Sequence, residues 1–299
     1  MSQPPRVQIV EVSPRDGLQA EERTLSTDTK LELLDRLADA GHTAIEATSF
    51  VSPTAVPQLA DADELLTRLR RRPGVRYLVL VPNPKGLERA AAAGATEVAV
   101  FVSASESYSR KNLRRGREET IATALGVVTD AKVRGLGVRA YVSMVIADPD
   151  DGPTDPAAVA EIGLRFIGAG ADEVSLGDTI GAGTAKGVRA LLAAHAASGI
   201  PVDRIAVHFH DTYGQGLANV LTAIELGVTT VDASIGGIGG SPFAKQASGN
   251  LATEDVAWML DGMGIETGVD VRKLAETTKW MAQQLGRELP GRAARALLS

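Results

Sequence analysis

Two of the chain's four histidines, His208 and His210, stand two positions apart at the end of the run Arg204-Ile205-Ala206-Val207-His208-Phe209-His210. In an extended strand, residues two apart project from the same face. Two imidazoles aimed at one place suit a divalent metal, although the same pair also fits structural histidines hydrogen-bonded at a strand end. Oxygen donors elsewhere favour the metal. Asp16 and Asn250 can complete a mixed nitrogen and oxygen shell, which suits Mg²⁺ or Mn²⁺, with Zn²⁺ also compatible, over soft-metal chemistry. Arg15 precedes Asp16, just beyond the apolar run Ile9-Val10-Glu11-Val12. The two can form an ordinary surface ion pair. At the end of a buried strand, the arginine can instead stabilise a developing enolate oxygen. Glu46 is a carboxylate in the apolar stretch Ala44-Ile45-Glu46-Ala47, and a buried carboxylate needs a partner. Arg15 is the obvious candidate, which gives Glu46 an orienting role. Gly236-Gly237-Ile238-Gly239-Gly240, ahead of Ser241, reads either as a tight strand exit or as the hinge of a mobile lid. The remaining histidines, His42 and His195, are expected to be structural or on the surface.

These residues sit at the ends of short β-branched runs that start near Val7, Ala44, Val75, Glu97, Val138, Glu173, Arg204 and Thr230. Helical stretches are expected between them at 27–40, 57–71, 85–93, 118–134, 156–169, 186–198 and 216–226. Ser26 and Asp155 stand at N-cap positions. Gly41, Gly94, Gly170 and Gly227 follow helix ends, where a left-handed C-cap is expected. Eight such units in about 250 residues predict an α/β fold, a (β/α)8 TIM barrel. A doubly wound sheet would show fewer strands or a phosphate-loop glycine signature after the first. Residues 253–299 read as additional C-terminal helices packed on the barrel, so 1–299 is expected to form a single catalytic domain. Barrel active sites lie at the C-terminal ends of the strands. Arg15-Asp16, Glu46, Asp178, His208-His210 and the loop to Asn250 would therefore converge on one mouth.

Composition narrows the function classes. With 31 Lys+Arg against 37 Asp+Glu, the net charge of −6 argues against broad nucleic-acid or anionic-membrane binding. Zero cysteines exclude a disulfide framework, thiolate metal sites and a cysteine nucleophile. No apolar run of membrane-spanning length occurs, and the first residues lack the apolar stretch of a secretory leader. A cytoplasmic location is expected.

The chain resembles the 3-hydroxy-3-methylglutaryl-CoA lyase family, in the superfamily of metal-dependent lyases and Claisen-type synthases. The resemblance is carried by VEVSPRDGLQ (10–19), AIEATSFVSPTAVPQLAD (44–61), SLGDTIGAGT (175–184), AVHFHDTYGQGLAN (206–219), GGIGGSPFAKQASGNLATED (236–255) and GIETGVD (264–270). It implies a TIM barrel, often a homodimer, that uses a divalent metal to cleave an acyl-CoA substrate, 3-hydroxy-3-methylglutaryl-CoA, to acetyl-CoA and acetoacetate by retro-Claisen chemistry. It also implies Asp16, His208, His210 and Asn250 as metal ligands and Arg15 as the group that steadies the thioester enolate. Glu46 would support Arg15, Asp178 would lie near the substrate, and His208 would take part in proton transfer.

Three departures bear on activity. Ser241 stands where the family's lid carries a cysteine that looks like the proton shuttle. A thiol has a pKa of about 8.5 and a serine hydroxyl is far less acidic, so that step would be slower or passed to water or His208. Met144-Val145-Ile146-Ala147-Asp148-Pro149 replaces a Cys/Gly/Pro-rich turn on the acyl-CoA side, and Glu22 replaces a common lysine. These departures keep two alternatives open. One is a lyase, aldolase or Claisen-type synthase for a different 3-hydroxy-acyl-CoA or related hydroxy acid. The other is a catalytically impaired acyl-CoA-binding homologue. The basic run Arg110–Arg117 reads either as a solvated loop and helix start or as a contact for CoA phosphates.

Overall fold

The computed structural model describes residues 4–240 and 249–299. Eight strands form the core: β1 (Gln8–Glu11), β2 (Ala44–Ser49), β3 (Arg76–Leu80), β4 (Glu97–Ser103), β5 (Gly137–Ser143), β6 (Glu173–Asp178), β7 (Ile205–Phe209) and β8 (Thr230–Ala233). They are parallel, neighbour one another in chain order and close into a barrel. The seam is β1 on β8, in register from Gln8↔Thr230 to Glu11↔Ala233.

Among the described residues, seven longer helices wrap the barrel: α1 (Thr27–Asp39), α2 (Ala62–Arg68), α3 (Pro84–Ala92), α4 (Arg117–Val133), α5 (Pro156–Ala169), α6 (Ala185–Ala197) and α7 (Gly216–Glu225). Their starts follow the sequence signals. Ser26 accepts a bond from the Thr29 amide and Asp155 from the Ala157 amide. Gly41, Gly94, Gly170 and Gly227 all hold positive φ behind a helix end. Three more helices follow, α8 (Thr253–Gly262), α9 (Val271–Leu285) and α10 (Arg292–Leu297). Among the described residues, no helix is long and apolar enough to cross a membrane.

The strands are apolar because both faces are covered. On β7, Ile205, Val207 and Phe209 join the outer core under the helices. Alternation then turns Ala206 and His208 to the barrel interior, and the same rule turns Thr230 and Asp232 inward on β8. Two local features differ from the sequence reading. The stretch expected as one helix over 57–71 is a 3-10 turn, Pro57–Leu59, followed by α2. Asp61 lies at the break, where its carboxylate accepts from Thr27 Oγ1 at 2.8 Å and Lys30 Nζ at 2.6 Å, tying the segment to α1. After β5 the chain forms a small hairpin that pairs Ala147–Asp148 with Gly152–Pro153.

Candidate active site

Immediately after β1 the chain makes one wide helical turn, Ser13–Gly17, in which the Asp16 and Gly17 amides both donate to the Val12 carbonyl at 2.8 and 3.2 Å. The turn delivers Arg15 and Asp16 to the barrel mouth. Arg15 is held between two carboxylates, with Nη1 2.7 Å from Asp16 Oδ1 and Nη2 2.7 Å from Glu46 Oε2. The Tyr141 ring lies 5.4 Å from its guanidinium carbon. Burial alone would favour neutral Arg15, but Glu46 and Asp16 outweigh it and raise its pKa. Burial pushes Glu46 up against the opposing pull of Arg15. Arg15 Nε is buried and has no hydrogen-bond partner among the described residues.

Asp16 joins this pair to the histidines. Its Oδ1 also accepts from Gln19 Nε2 at 2.8 Å, and its Oδ2 from Asn250 Nδ2 at 2.7 Å. Burial would raise its pKa, yet Arg15 and His208 bring it down to about 2. The Nε2 atoms of His208 and His210 lie 3.2 Å apart, and His208 Nε2 is 3.9 Å from Asp16 Oδ2. One ligand atom from each of Asp16, His208 and His210 falls within 4.8 Å of the others. Asn250 is brought beside His210 by an isolated antiparallel bridge and also hydrogen-bonds its side chain. Burial, reinforced by neighbouring His208, pushes His210 down to about 4 and leaves it a neutral ring. Burial opposes charge on His208 as well, but Asp232 and Asp16 prevail and raise it. One carboxylate, two imidazoles and one amide fit a hard-to-borderline divalent cation, and a neutral imidazole is the form that binds metal.

The glycine run has a steric reason at Gly239, which holds φ +102°; a Cβ there would lie 2.6 Å from Asn250 Nδ2 and 3.0 Å from Gly17 Cα. Backbone must pass that close to seat Asn250. Asp178 is not among the three grouped ligands, although His208 lies near enough to favour its charged form. Its Oδ1 and Oδ2 accept from the amides of Ala182 and Gly183 at 3.2 and 2.7 Å, and burial pushes it up to about 6. It anchors the loop after β6. Ser241 lies outside the described residues. In the basic run, Arg110 pairs with Glu106 at 2.6 Å, Arg115 with Glu119 at 3.4 Å, and Lys111 with Asp150, so these three charges are matched locally. His42 and His195 are buried, and His195 Nδ1 lies 2.8 Å from the Leu191 carbonyl.

Sequence reasoning missed Asp232, Arg139 and Ser175, which lie beneath the histidines. Asp232 Oδ2 is 3.2 Å from His208 Nδ1, and Oδ1 accepts from Arg139 Nη2 at 2.7 Å. The signal was present, since Asp232 interrupts an apolar strand just as Glu46 does.

Fold and cluster together define a (β/α)8 barrel with a cation-suited mouth beside a pinned arginine. The HMGL-like family model matches residues 6–281, and the chain belongs to that family. It is 48% identical over 293 residues to the mitochondrial hydroxymethylglutaryl-CoA lyase of Rattus norvegicus, which covers 98% of this chain and 90% of that one. The crystal structure of hydroxymethylglutaryl-CoA lyase from Pseudomonas aeruginosa superposes with a TM-score of 0.96 at 44% identity, covering 100% of this chain and 99% of that one. An HMG-CoA lyase from Acinetobacter baumannii, solved in complex with coenzyme A and 3-methylmalate, has a TM-score of 0.92 at 35% identity over 97% of this chain and 95% of that one.

Proposed function

We propose that this chain is a divalent-metal-dependent carbon–carbon lyase that cleaves 3-hydroxy-3-methylglutaryl-CoA to acetyl-CoA and acetoacetate. The observation that carries the reading is the convergence of Asp16, His208 and His210 within 4.8 Å, beside an Arg15 held by two carboxylates. Asp16, His208, His210 and Asn250 would hold the cation, Mg²⁺ or Mn²⁺ on this donor set, and a bound divalent ion supplies the Lewis acidity that lowers the pKa of a chelated hydroxyl.

The remaining work falls to the protein. A general base at the mouth takes the proton of the substrate's tertiary hydroxyl. The C2–C3 bond then breaks. Its electron pair passes into the thioester as an enolate, while the alkoxide becomes the ketone of acetoacetate. Arg15, already fixed by Asp16 and Glu46, can donate an N–H to the enolate oxygen without reorganising as charge develops. The enolate carbon finally takes a proton, a step we assign to Ser241 or a water beside it. Asp178 shapes the neighbouring loop. We place the whole chain as one catalytic domain, working as a cytoplasmic homodimer; light scattering on the purified protein tests the dimer.

Cleavage is tested directly by incubating metal-stripped protein with 3-hydroxy-3-methylglutaryl-CoA, with and without Mg²⁺ or Mn²⁺, and measuring both products by mass spectrometry. Turnover that appears with metal is expected, and Ser241→Cys is expected to be faster than wild type. Absence of both products from both proteins, with metal present, refutes the substrate. A different acyl branch is the second reading, favoured by the hairpin at 147–153. In that case, product appears with another 3-hydroxy-acyl-CoA.

A further inference from the structure

Asp232 has no part in the reaction as written, yet it touches the metal cluster from below. Its carboxylate is fully buried. Oδ2 accepts from Ser175 Oγ at 3.0 Å and faces His208 Nδ1 at 3.2 Å. Oδ1 accepts from Arg139 Nη2, which reaches across from β5 at 2.7 Å. Arg139 is itself buried, lies 2.9 Å from Glu173 through Nε and sits over the Tyr141 ring at 5.0 Å. An ionised carboxylate only accepts hydrogen bonds, so the hydrogen shared with His208 sits on Nδ1. The neutral ring then presents an unprotonated Nε2, and that atom faces Asp16 and His210.

We propose that Asp232, anchored by Arg139 and Ser175, is a positioning residue that locks His208 in the Nδ1–H tautomer and so makes Nε2 a metal ligand. The inference rests on the metal reading of Asp16, His208, His210 and Asn250. It carries a consequence for the reaction. A His208 engaged at both nitrogens cannot also accept the substrate's hydroxyl proton, so that proton leaves by another group at the mouth. Outer carboxylates of this kind orient ligand histidines, and their loss typically costs about 10–100-fold in metal affinity or activity.

Asp232→Asn tests the tautomer. An amide has one accepting and one donating end. Its oxygen turns to Arg139, because an NH₂ against a guanidinium leaves two donors unpaired. The NH₂ then meets His208 Nδ1, which must accept, and the ring proton moves to Nε2. Mn²⁺ affinity, read by calorimetry or by the electron paramagnetic resonance of free Mn²⁺, is expected to fall about 10–100-fold. At low Mn²⁺, kcat falls while KM for 3-hydroxy-3-methylglutaryl-CoA stays put, and raising Mn²⁺ restores activity. Ser175→Ala removes one donor but keeps the charge, and a smaller loss of Mn²⁺ affinity in the same direction is expected even if Asp232→Asn folds poorly. Asp16→Ala serves as the control. If wild type binds no Mn²⁺, the metal reading fails. If wild type binds and Asp16→Ala does not, while Asp232→Asn or Ser175→Ala binds as wild type does, the positioning role alone is overturned.

Discussion

Glu254 opens α8 with a carboxylate that has no exposed surface. The Gly236 amide donates to both its oxygens, at 3.1 and 3.0 Å, and Thr278 Oγ1 to one of them at 3.2 Å. These bonds favour the charged form, but burial outweighs them, with Asp255 and Glu11 adding repulsion, and the pKa rises from 4.5 to about 8. The folded protein therefore keeps a proton that the unfolded chain has released above about pH 4.5. The stabilisation from this proton is complete at acid pH and is lost as pH rises toward 8. At about 1.4 kcal/mol per pH unit, the rise from pH 5.5 to 8 removes about 3 kcal/mol. Glu254→Gln keeps the shape and an acceptor for Gly236 and cannot titrate. Urea midpoints at the two pH values, for both proteins, give the comparison. Wild type is expected to lose about 3 kcal/mol more than the variant over that interval. Glu11, which burial raises to about 7, contributes with the same sign in both proteins and largely cancels. Parallel pH profiles for the two would refute the assignment of a protonated Glu254. Because Gly236 opens the glycine run above the metal cluster, the same variant shows whether that anchor also governs turnover.

Two further outcomes follow from the geometry. Arg15→Lys cannot span Asp16 and Glu46 with one ammonium, so kcat is expected to fall about 10²–10³-fold with little change in KM; an unchanged kcat removes Arg15 from enolate stabilisation. Gly239→Ala forces a Cβ to within 2.6 Å of Asn250 Nδ2 at φ +102°. About 1–3 kcal/mol of strain and weaker Mn²⁺ binding are expected, and a variant that melts and binds Mn²⁺ like wild type shows the close approach to be unnecessary.

Much of this molecule is written locally. The eight strands fall where β-branched runs occur, and α5 begins and ends where Pro156 and Ala169 mark it, because period and caps are properties of neighbouring residues. Arg15, Asp16, Glu46, His208 and His210 could be singled out for a related reason, as each is a polar residue where a buried strand or its exit should be apolar. What the sequence hides is partnership across the barrel. The break at Asp61 depends on Lys30, which belongs to another helix. Asp178 looks like a free carboxylate until Ala182 and Gly183 turn back onto it. Asp232 meets an arginine 93 positions away, a separation that no local pattern reports.

Those hidden pairs explain how one barrel holds so much buried charge. Isolated ions in such an interior are costly and must be matched, and here they come as two sets. Arg15 is matched by Asp16 and Glu46, and Arg139 by Asp232 and Glu173. Tyr141 lies between them, 5.4 Å from one guanidinium and 5.0 Å from the other. Burial raises its pKa well above the ordinary value, so it remains a neutral phenol, an aromatic spacer between two cations. Apolar residues of the same volume would do as well or better for stability. The upper set ends at the mouth on the Arg15 guanidinium, and the lower set ends at His208 Nδ1. Each set of buried charges therefore terminates on an atom that the proposed reaction needs held in place, and that accounts for charge where packing alone would put leucine or valine.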